Sequence, residues 1–369
     1  MRIMNSPKSV EIDITSRCNL RCAYCSHFSS AGDVDVDLPV GEWLVFFEEL
    51  GRAAVMEVTL CGGEPFIRKD LKELLGGIVK NRMRFGILSN GTLITDEIAS
   101  YIASTRRCNS VQVSIDGSGP STHDACRGDG NFLRAIAGIK TLQKHGIPAT
   151  VRVTIHKHNV HDLAEIVGLL LEDIGIPSFS TNTASYLGQC RENDNHLRLT
   201  TEERSSAMDV LTRLRRQYNG RITASAGPLA EAKIWGEMEK AAREGRESLP
   251  GKGCLRSCGG VFSKIAVRAD GVMTPCTQMS HIVLGRITRD SLNTVWKEHP
   301  ELMRLRKRRD IPLSEFAFCS GCKYVPYCAG NCPALAYTIT GQEDHPSPDA
   351  CLRTFLLEGG RLPTEEYDA

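Results

Sequence analysis

The chain's 15 cysteines fall in a pattern that could do chemistry, because most of them are grouped. Cys18, Cys22 and Cys25 stand together, eight more lie between Cys254 and Cys351, and Cys61, Cys108, Cys126 and Cys190 lie apart. A reducing compartment argues against disulfides, so grouped thiols at these spacings point to metal. The segment Thr15-Ser-Arg-Cys18-Asn-Leu-Arg-Cys22-Ala-Tyr-Cys25 can wrap one centre. A four-iron cluster held by three thiolates keeps one iron open to a substrate or cofactor. The competing reading is a structural zinc loop with a fourth ligand such as His27. The second group reads Cys254-x3-Cys258, Gly271-x4-Cys276, Cys319-x2-Cys322-x5-Cys328-x3-Cys332 and Cys351. Its eight thiols make two four-thiolate sets, or a pair of zinc ribbons.

The rest of the composition is ordinary and excludes several classes. Among 369 residues, 45 basic and 44 acidic side chains leave a net charge of +1, which gives no electrostatic footprint for nucleic acid or an anionic membrane. With 41% hydrophobic and 24% charged residues the chain reads as globular. No stretch approaches the roughly 18 apolar residues of a membrane span, and the first residues lack a signal-peptide core. The expected location is cytoplasmic.

The elements that must position these thiols are legible in the hydrophobic period. Strands are expected at Val10–Thr15, Met56–Cys61, Arg84–Ser89, Ser110–Ile115, Ala149–Ile155 and Ser178–Ala184. Helices are expected between them at Val40–Ala53, Asp70–Asn81, Asp96–Ser104, Phe132–His145 and Val160–Asp173. Six strand-helix units predict an α/β fold, an open partial (β/α)6 barrel, with chemistry at the C-terminal strand ends. The expected division is a barrel domain over 1–220, a helical linker over 221–253 and a cysteine-rich domain over 254–369. In the last, one hairpin is legible, Lys264–Arg268 turning into Val272–Cys276, and the cysteines are expected to hold the remainder together. The triple His156-x-His158-x2-His161 reads as the opening of a helix, and Arg304–Arg309 as the solvated face of another.

Cys18-x3-Cys22-x2-Cys25, with Tyr24 before the third cysteine, resembles the motif of radical S-adenosylmethionine (SAM) enzymes. The resemblance implies that the open iron chelates SAM, whose reductive cleavage gives methionine and a 5'-deoxyadenosyl radical that abstracts hydrogen from a C–H bond. It also assigns cofactor contacts at successive strand ends. These are Tyr24; Gly62, Gly63 and Glu64, with Glu64 accepting from the SAM amino group; Ser89; Ser114 and Asp116; and Arg127, which with Ser114 would contact the SAM carboxylate. Cys61 departs from the small residue more usual at its place and reads as a buried, unreactive thiol.

The C-terminal spacing resembles the SPASM extension of peptide- and protein-modifying radical SAM enzymes. By analogy Cys254, Cys258, Cys276 and Cys332 would hold one auxiliary 4Fe-4S cluster, and Cys319, Cys322, Cys328 and Cys351 a second, giving three clusters in all. Full protein ligation of both auxiliary clusters implies electron transfer as their role. In related sulfatase-maturating enzymes an aspartate base follows the Gly-x4-Cys cysteine; Thr277 and Gln278 stand here, which points away from that activity. Stretches such as Tyr24-Cys-Ser-His-Phe-Ser-Ser and Asn331-Cys-Pro-Ala-Leu-Ala-Tyr337 are most similar to the radical SAM/SPASM proteins of the SynChlorMet peptide-modification cassette.

The resemblance implies a maturase acting on a ribosomally made precursor peptide or protein, yielding a cross-link, an oxidation or an epimerised residue. Epimerisation needs a hydrogen-returning thiol, for which Cys61, Cys108, Cys126 and Cys190 are the candidates. Expected partners are the precursor and an electron donor such as flavodoxin or ferredoxin. Nine residues precede the first strand, so leader recognition is expected from a separate leader-peptide-binding protein or from the barrel itself. The alternatives are a tetrapyrrole-type small-molecule oxidase or decarboxylase, and a non-catalytic iron-sulfur electron carrier.

Overall fold

A computed structural model describes residues 3–26 and 37–364. His27, the alternative zinc ligand, lies outside the described residues.

Six strands run parallel in chain order: β1 Ser9–Thr15, β2 Glu57–Gly62, β3 Arg84–Ser89, β4 Cys108–Ser114, β5 Ala149–Ile155 and β6 Phe179–Thr183. Helices α1 Val40–Arg52, α2 Leu71–Lys80, α3 Asp96–Thr105 and α5 Asn131–Lys144 cover one face of the sheet, with α4 Pro120–Arg127 after β4. The helix expected at Val160–Asp173 is continuous in sequence but not in pitch. A 3-10 turn at Val160–Asp162 leads into α6 Leu163–Gly168, which widens to π geometry over Leu169–Asp173.

Strand alternation sorts the side chains. Val10, Ile12, Val58, Leu60, Phe85, Ile87, Val111, Val113, Val151 and Val153 enter one buried core with Trp43, Phe46, Phe47 and Leu74 of the helices. Their neighbours Glu11, Thr59, Gln112, Ser114, Arg152 and Ser180 are only half-buried and line the concave face. The concave face is therefore polar. An active chamber there needs no core side chains to move.

Two features of the sheet exceed the six-unit expectation. A short seventh parallel strand, β7 Ile222–Ala224, pairs with β6. At the other edge β8 Lys264–Val267 pairs in parallel with β1, and β9 Val272–Thr274 and β10 Gly285–Arg286 follow antiparallel. The result is one ten-stranded sheet. The β8–β9 hairpin is the one expected at Lys264–Arg268 and Val272–Cys276, whereas β7 and β10, of three and two residues, are too short to show a period in sequence. The cysteine-rich region is thus held by more than its thiols: Val261, Ile265, Leu292, Trp296, Leu302 and Leu305 join the barrel's own core.

Candidate active site

The first cysteine loop leaves the C-terminal end of β1 and is braced by the turn after β2. Gly63 N donates to Thr15 O at 2.8 Å and Glu64 N to Arg17 O at 2.8 Å. The approach is so close that a Cβ on Gly63 would stand 2.1 Å from Arg17 O, and one on Gly62, at φ +110°, 2.4 Å from Thr15 O. Around the thiols, Leu20 N lies 3.4 Å and Asn90 Nδ2 3.8 Å from Cys18 Sγ, and Arg127 Nη1 lies 4.0 Å from Cys22 Sγ. Burial pushes the Cys22 thiol up to about 11, with Arg127 opposing and Cys25, Asp116 and Cys18 adding to the rise. Burial likewise raises Cys18, helped by Glu64 and Cys25. The three thiols therefore feel one another's charge, and a metal centre that deprotonates its thiol ligands would relieve that mutual repulsion.

Two buried carboxylates frame this loop. Glu64 is fully buried; Oε1 accepts from Ser89 Oγ at 2.9 Å and Phe66 N at 3.1 Å, and Oε2 from Asn90 N at 2.7 Å. Burial raises its pKa to about 7 against those three donors. Glu64 thus ties the β2 turn to the end of β3. Asp116, also fully buried, accepts from Tyr24 Oη, from Arg127 Nε at 2.5 Å and from Thr154 N at 2.7 Å. Burial, the largest influence, would raise this carboxyl, but the Arg127 charge together with the neighbouring histidines and the Tyr24 hydrogen bond holds it below its ordinary value. The Arg127 guanidinium lies 5.3 Å from the Tyr24 ring centre, so Tyr24, Asp116 and Arg127 form one unit against Cys22.

Of the expected cofactor residues, Glu64, Ser89, Asp116 and Arg127 are buried and bonded to protein groups, whereas Ser114 stands on the concave face.

His156 is buried at the end of β5, with Nδ1 accepting from His158 N at 3.2 Å and lying 3.9 Å from Cys126 Sγ. Burial lowers its pKa to about 4, so the ring is neutral near pH 7.

Seven of the C-terminal thiols fall into two neighbourhoods. Cys319, Cys322, Cys328 and Cys351 line one cavity with Tyr324, Leu352 and Arg353. Burial pushes Cys319 up to about 11, and Cys328, Cys322 and Cys351 add to it. Cys276 rises to about 11 through burial, with Cys258 and Cys332 contributing. Cys254 stands in a bridge to Pro312 and is flanked by a bond from Leu313 N to Gly253 O at 2.8 Å. Among the described residues no three His, Cys, Asp or Glu side chains converge tightly enough to share a single ion. Donor sets made of thiols alone have the chemistry that iron-sulfur clusters take.

The four remaining thiols differ sharply in place. Cys108 begins β4, at the end of the sheet away from the cysteine loop. Cys61 is the next-to-last residue of β2, with Sγ 3.4 Å from Asp13 Oδ1. Cys126 and Cys190 pack in one small cluster with Ala184, Leu197, Ala23 and Tyr24, beside the first cysteine loop.

The basic run at 304–309 is the clearest correction to the sequence reading. Arg306 and Arg308 are fully buried, not solvated. Arg306 donates to Val261 O at 2.9 Å and Trp296 O at 2.7 Å. Arg308 donates to Glu343 O at 2.7 Å, His345 O at 2.8 Å, Asn331 O at 3.2 Å and Arg256 O. A guanidinium has five donors in a fixed fork, and this one ties the segments around Cys258 and Cys332 together. Alternation with Leu302 and Leu305 misleads here, because a buried arginine satisfied by carbonyls has the same sequence signature as an exposed one.

A strand-end cysteine loop over a parallel partial barrel, followed by two further thiol sets, defines the class: the chain belongs to the radical SAM superfamily. Residues 12–170 match that superfamily and residues 258–323 match SPASM, an iron-sulfur cluster-binding domain. Membership implies SAM and 4Fe-4S clusters as cofactors. More particularly, the chain is 30% identical over 352 residues to the Fe-coproporphyrin III synthase of Methanosarcina barkeri, covering 89% of this chain and 84% of that one. It is 29% identical over 367 residues to the pre-heme d1 synthase of Dinoroseobacter shibae, covering 96% and 88%. The fold is that of Streptococcus suis SuiB bound to S-adenosylmethionine, with a TM-score of 0.71 at 16% identity over 95% of this chain and 76% of that one. Among the described residues no helix is long and apolar enough to cross a membrane.

Proposed function

We propose that this chain abstracts hydrogen from a ribosomally made precursor peptide or protein, in the manner of the SynChlorMet-type maturases. When bound, SAM on a reduced 4Fe-4S cluster supplies the hydrogen-abstracting radical. The protein's part is to hold Cys18, Cys22 and Cys25 on a braced loop, to keep the Tyr24–Asp116–Arg127 unit beside Cys22, and to offer an open polar chamber to substrate. Tyr24, Gly62, Gly63, Glu64, Ser89, Ser114, Asp116 and Arg127 shape the cofactor side. In this reading Cys254, Cys258, Cys276 and Cys332 hold one auxiliary cluster, and Cys319, Cys322, Cys328 and Cys351 the other, for electron transfer. The grouping of the second four around one cavity is the observation that most supports it.

A second reading is favoured by the relatives, whose names place them in heme and coproporphyrin chemistry: a tetrapyrrole-type small molecule as substrate. Anaerobic turnover with candidate precursor peptides on one side and coproporphyrin III on the other, read by mass spectrometry, separates the two. A mass change in peptide alone supports the first reading; a change in porphyrin alone replaces it with the second.

A further inference from the structure

Arg152 sits in mid-β5 on the concave face, in register with Ser114 of β4 on one side and Ser180 of β6 on the other. Its outward neighbours Val151 and Val153 are buried in the helix-side core, so the guanidinium belongs to the chamber side. Nε makes one long bond, 3.3 Å to Ser180 Oγ. Among the described residues no carboxylate oxygen lies within ion-pair distance of Arg152. The anion whose charge reaches it is Glu11 of β1, and Glu11 is already paired with Lys264 Nζ at 3.1 Å. The guanidinium of Arg127, by contrast, is committed to Asp116. Partial dehydration of a cation that has no directly paired carboxylate among the described residues is costly and is offset when a ligand brings the anion. A guanidinium fork beside the Ser180 hydroxyl matches a carboxylate in geometry and charge.

We propose that Arg152, with Ser180, is the anchor for a carboxylate of the substrate, beside the Ser114 hydroxyl that faces the cofactor. The chemistry is common to an acidic side chain or C-terminus of a peptide and to a propionate of a macrocycle. It rests on the proposed function only in placing the substrate in the chamber.

The test is binding to the anaerobically reconstituted full-length protein, with succinate as the first probe and its dimethyl ester as the neutral control. Saturation-transfer NMR is expected to show succinate bound, the ester unbound, and affinity lost by about 10-fold or more in Arg152→Gln, the scale of a charge-assisted pair. Arg152→Lys, which keeps the charge without the fork, is expected to fall between. Melting temperature and iron content of each variant confirm that it is folded. Saturating SAM is expected to leave succinate bound; displacement by SAM would overturn the proposal by giving the guanidinium to the cofactor. Equal succinate affinity in wild type and Arg152→Gln would overturn it as well. Coproporphyrin III against its tetramethyl ester, and a Glu-containing peptide against its amide form, then identify the source of the carboxylate. Failure of 5'-deoxyadenosine formation would sink the functional reading while leaving succinate binding measurable.

Discussion

Replacing Gly63 with alanine is expected to dislodge the first cluster and spare the other two. The added Cβ would lie 2.1 Å from Arg17 O, 2.5 Å from Arg17 C and 3.0 Å from Ser16 O, all of them backbone. Ordinary contact begins at 3.4 Å, so the Arg17 carbonyl must retreat by about 1.3 Å. That movement breaks the 2.8 Å bond from Glu64 N to Arg17 O. One lost hydrogen bond plus overpacking comes to roughly 1.5–4.5 kcal/mol, concentrated on the loop that carries Cys18 one residue later. The assay is iron and sulfide counting after anaerobic reconstitution, together with SAM cleavage. Wild type should hold about twelve irons and Gly63→Ala about eight, with 5'-deoxyadenosine lost. A Cβ added at Gly236 would meet no heavy atom within 4 Å, so Gly236→Ala is the matched control and should keep both. Full iron and normal SAM cleavage in Gly63→Ala would refute the idea that these glycines brace the cluster loop.

Other perturbations give distinct readouts. Asp116→Ala strands the buried Arg127 charge and should cost about 3–5 kcal/mol in unfolding; Asp116→Ala with Arg127→Met should recover part of it in a double-mutant cycle. Glu64, with a pKa raised from 4.5 to about 7, favours the protonated folded state. Its stabilisation is complete below about pH 4.5 and is lost as pH rises through about 7, by up to roughly 3 kcal/mol. Glu64→Gln should flatten that part of the stability-pH curve, and an unchanged slope would show that Glu64 is ionised throughout. Cys108→Ala should leave turnover intact, since this thiol begins β4 far from the cysteine loop; lost turnover in a folded, iron-replete variant would contradict that placement. Arg308→Ala should lower the melting temperature and the iron content of the C-terminal region, because it unties four carbonyls at once.

Much of the positioning was legible because it rests on local rules. The six barrel strands followed from alternating β-branched runs, and β3 and β5 begin and end where expected, at Arg84–Ser89 and Ala149–Ile155. The cysteine groups were legible because ligand spacing is a local property of a loop. What escaped depends on partners distant in sequence. The parallel pairing of β8 with β1 joins residues more than 250 apart, through strands of seven and four residues. Arg306 and Arg308 looked like solvent-facing charge because the carbonyls that satisfy them come from 256, 261, 296, 331, 343 and 345. The two glycines at the end of β2, Gly62 and Gly63, read in sequence as cofactor contacts, whereas their tightest constraint is the backbone of the cysteine loop itself.

The most direct test of the central claim is SAM cleavage by the anaerobically reconstituted, reduced protein, with iron counted in the same preparation. The account predicts 5'-deoxyadenosine and methionine, about twelve irons per chain, and loss of cleavage with retention of about eight irons when Cys18, Cys22 and Cys25 are replaced by alanine. Twelve irons without any 5'-deoxyadenosine would instead describe an electron carrier, and about four irons would contradict the assignment of the C-terminal thiols.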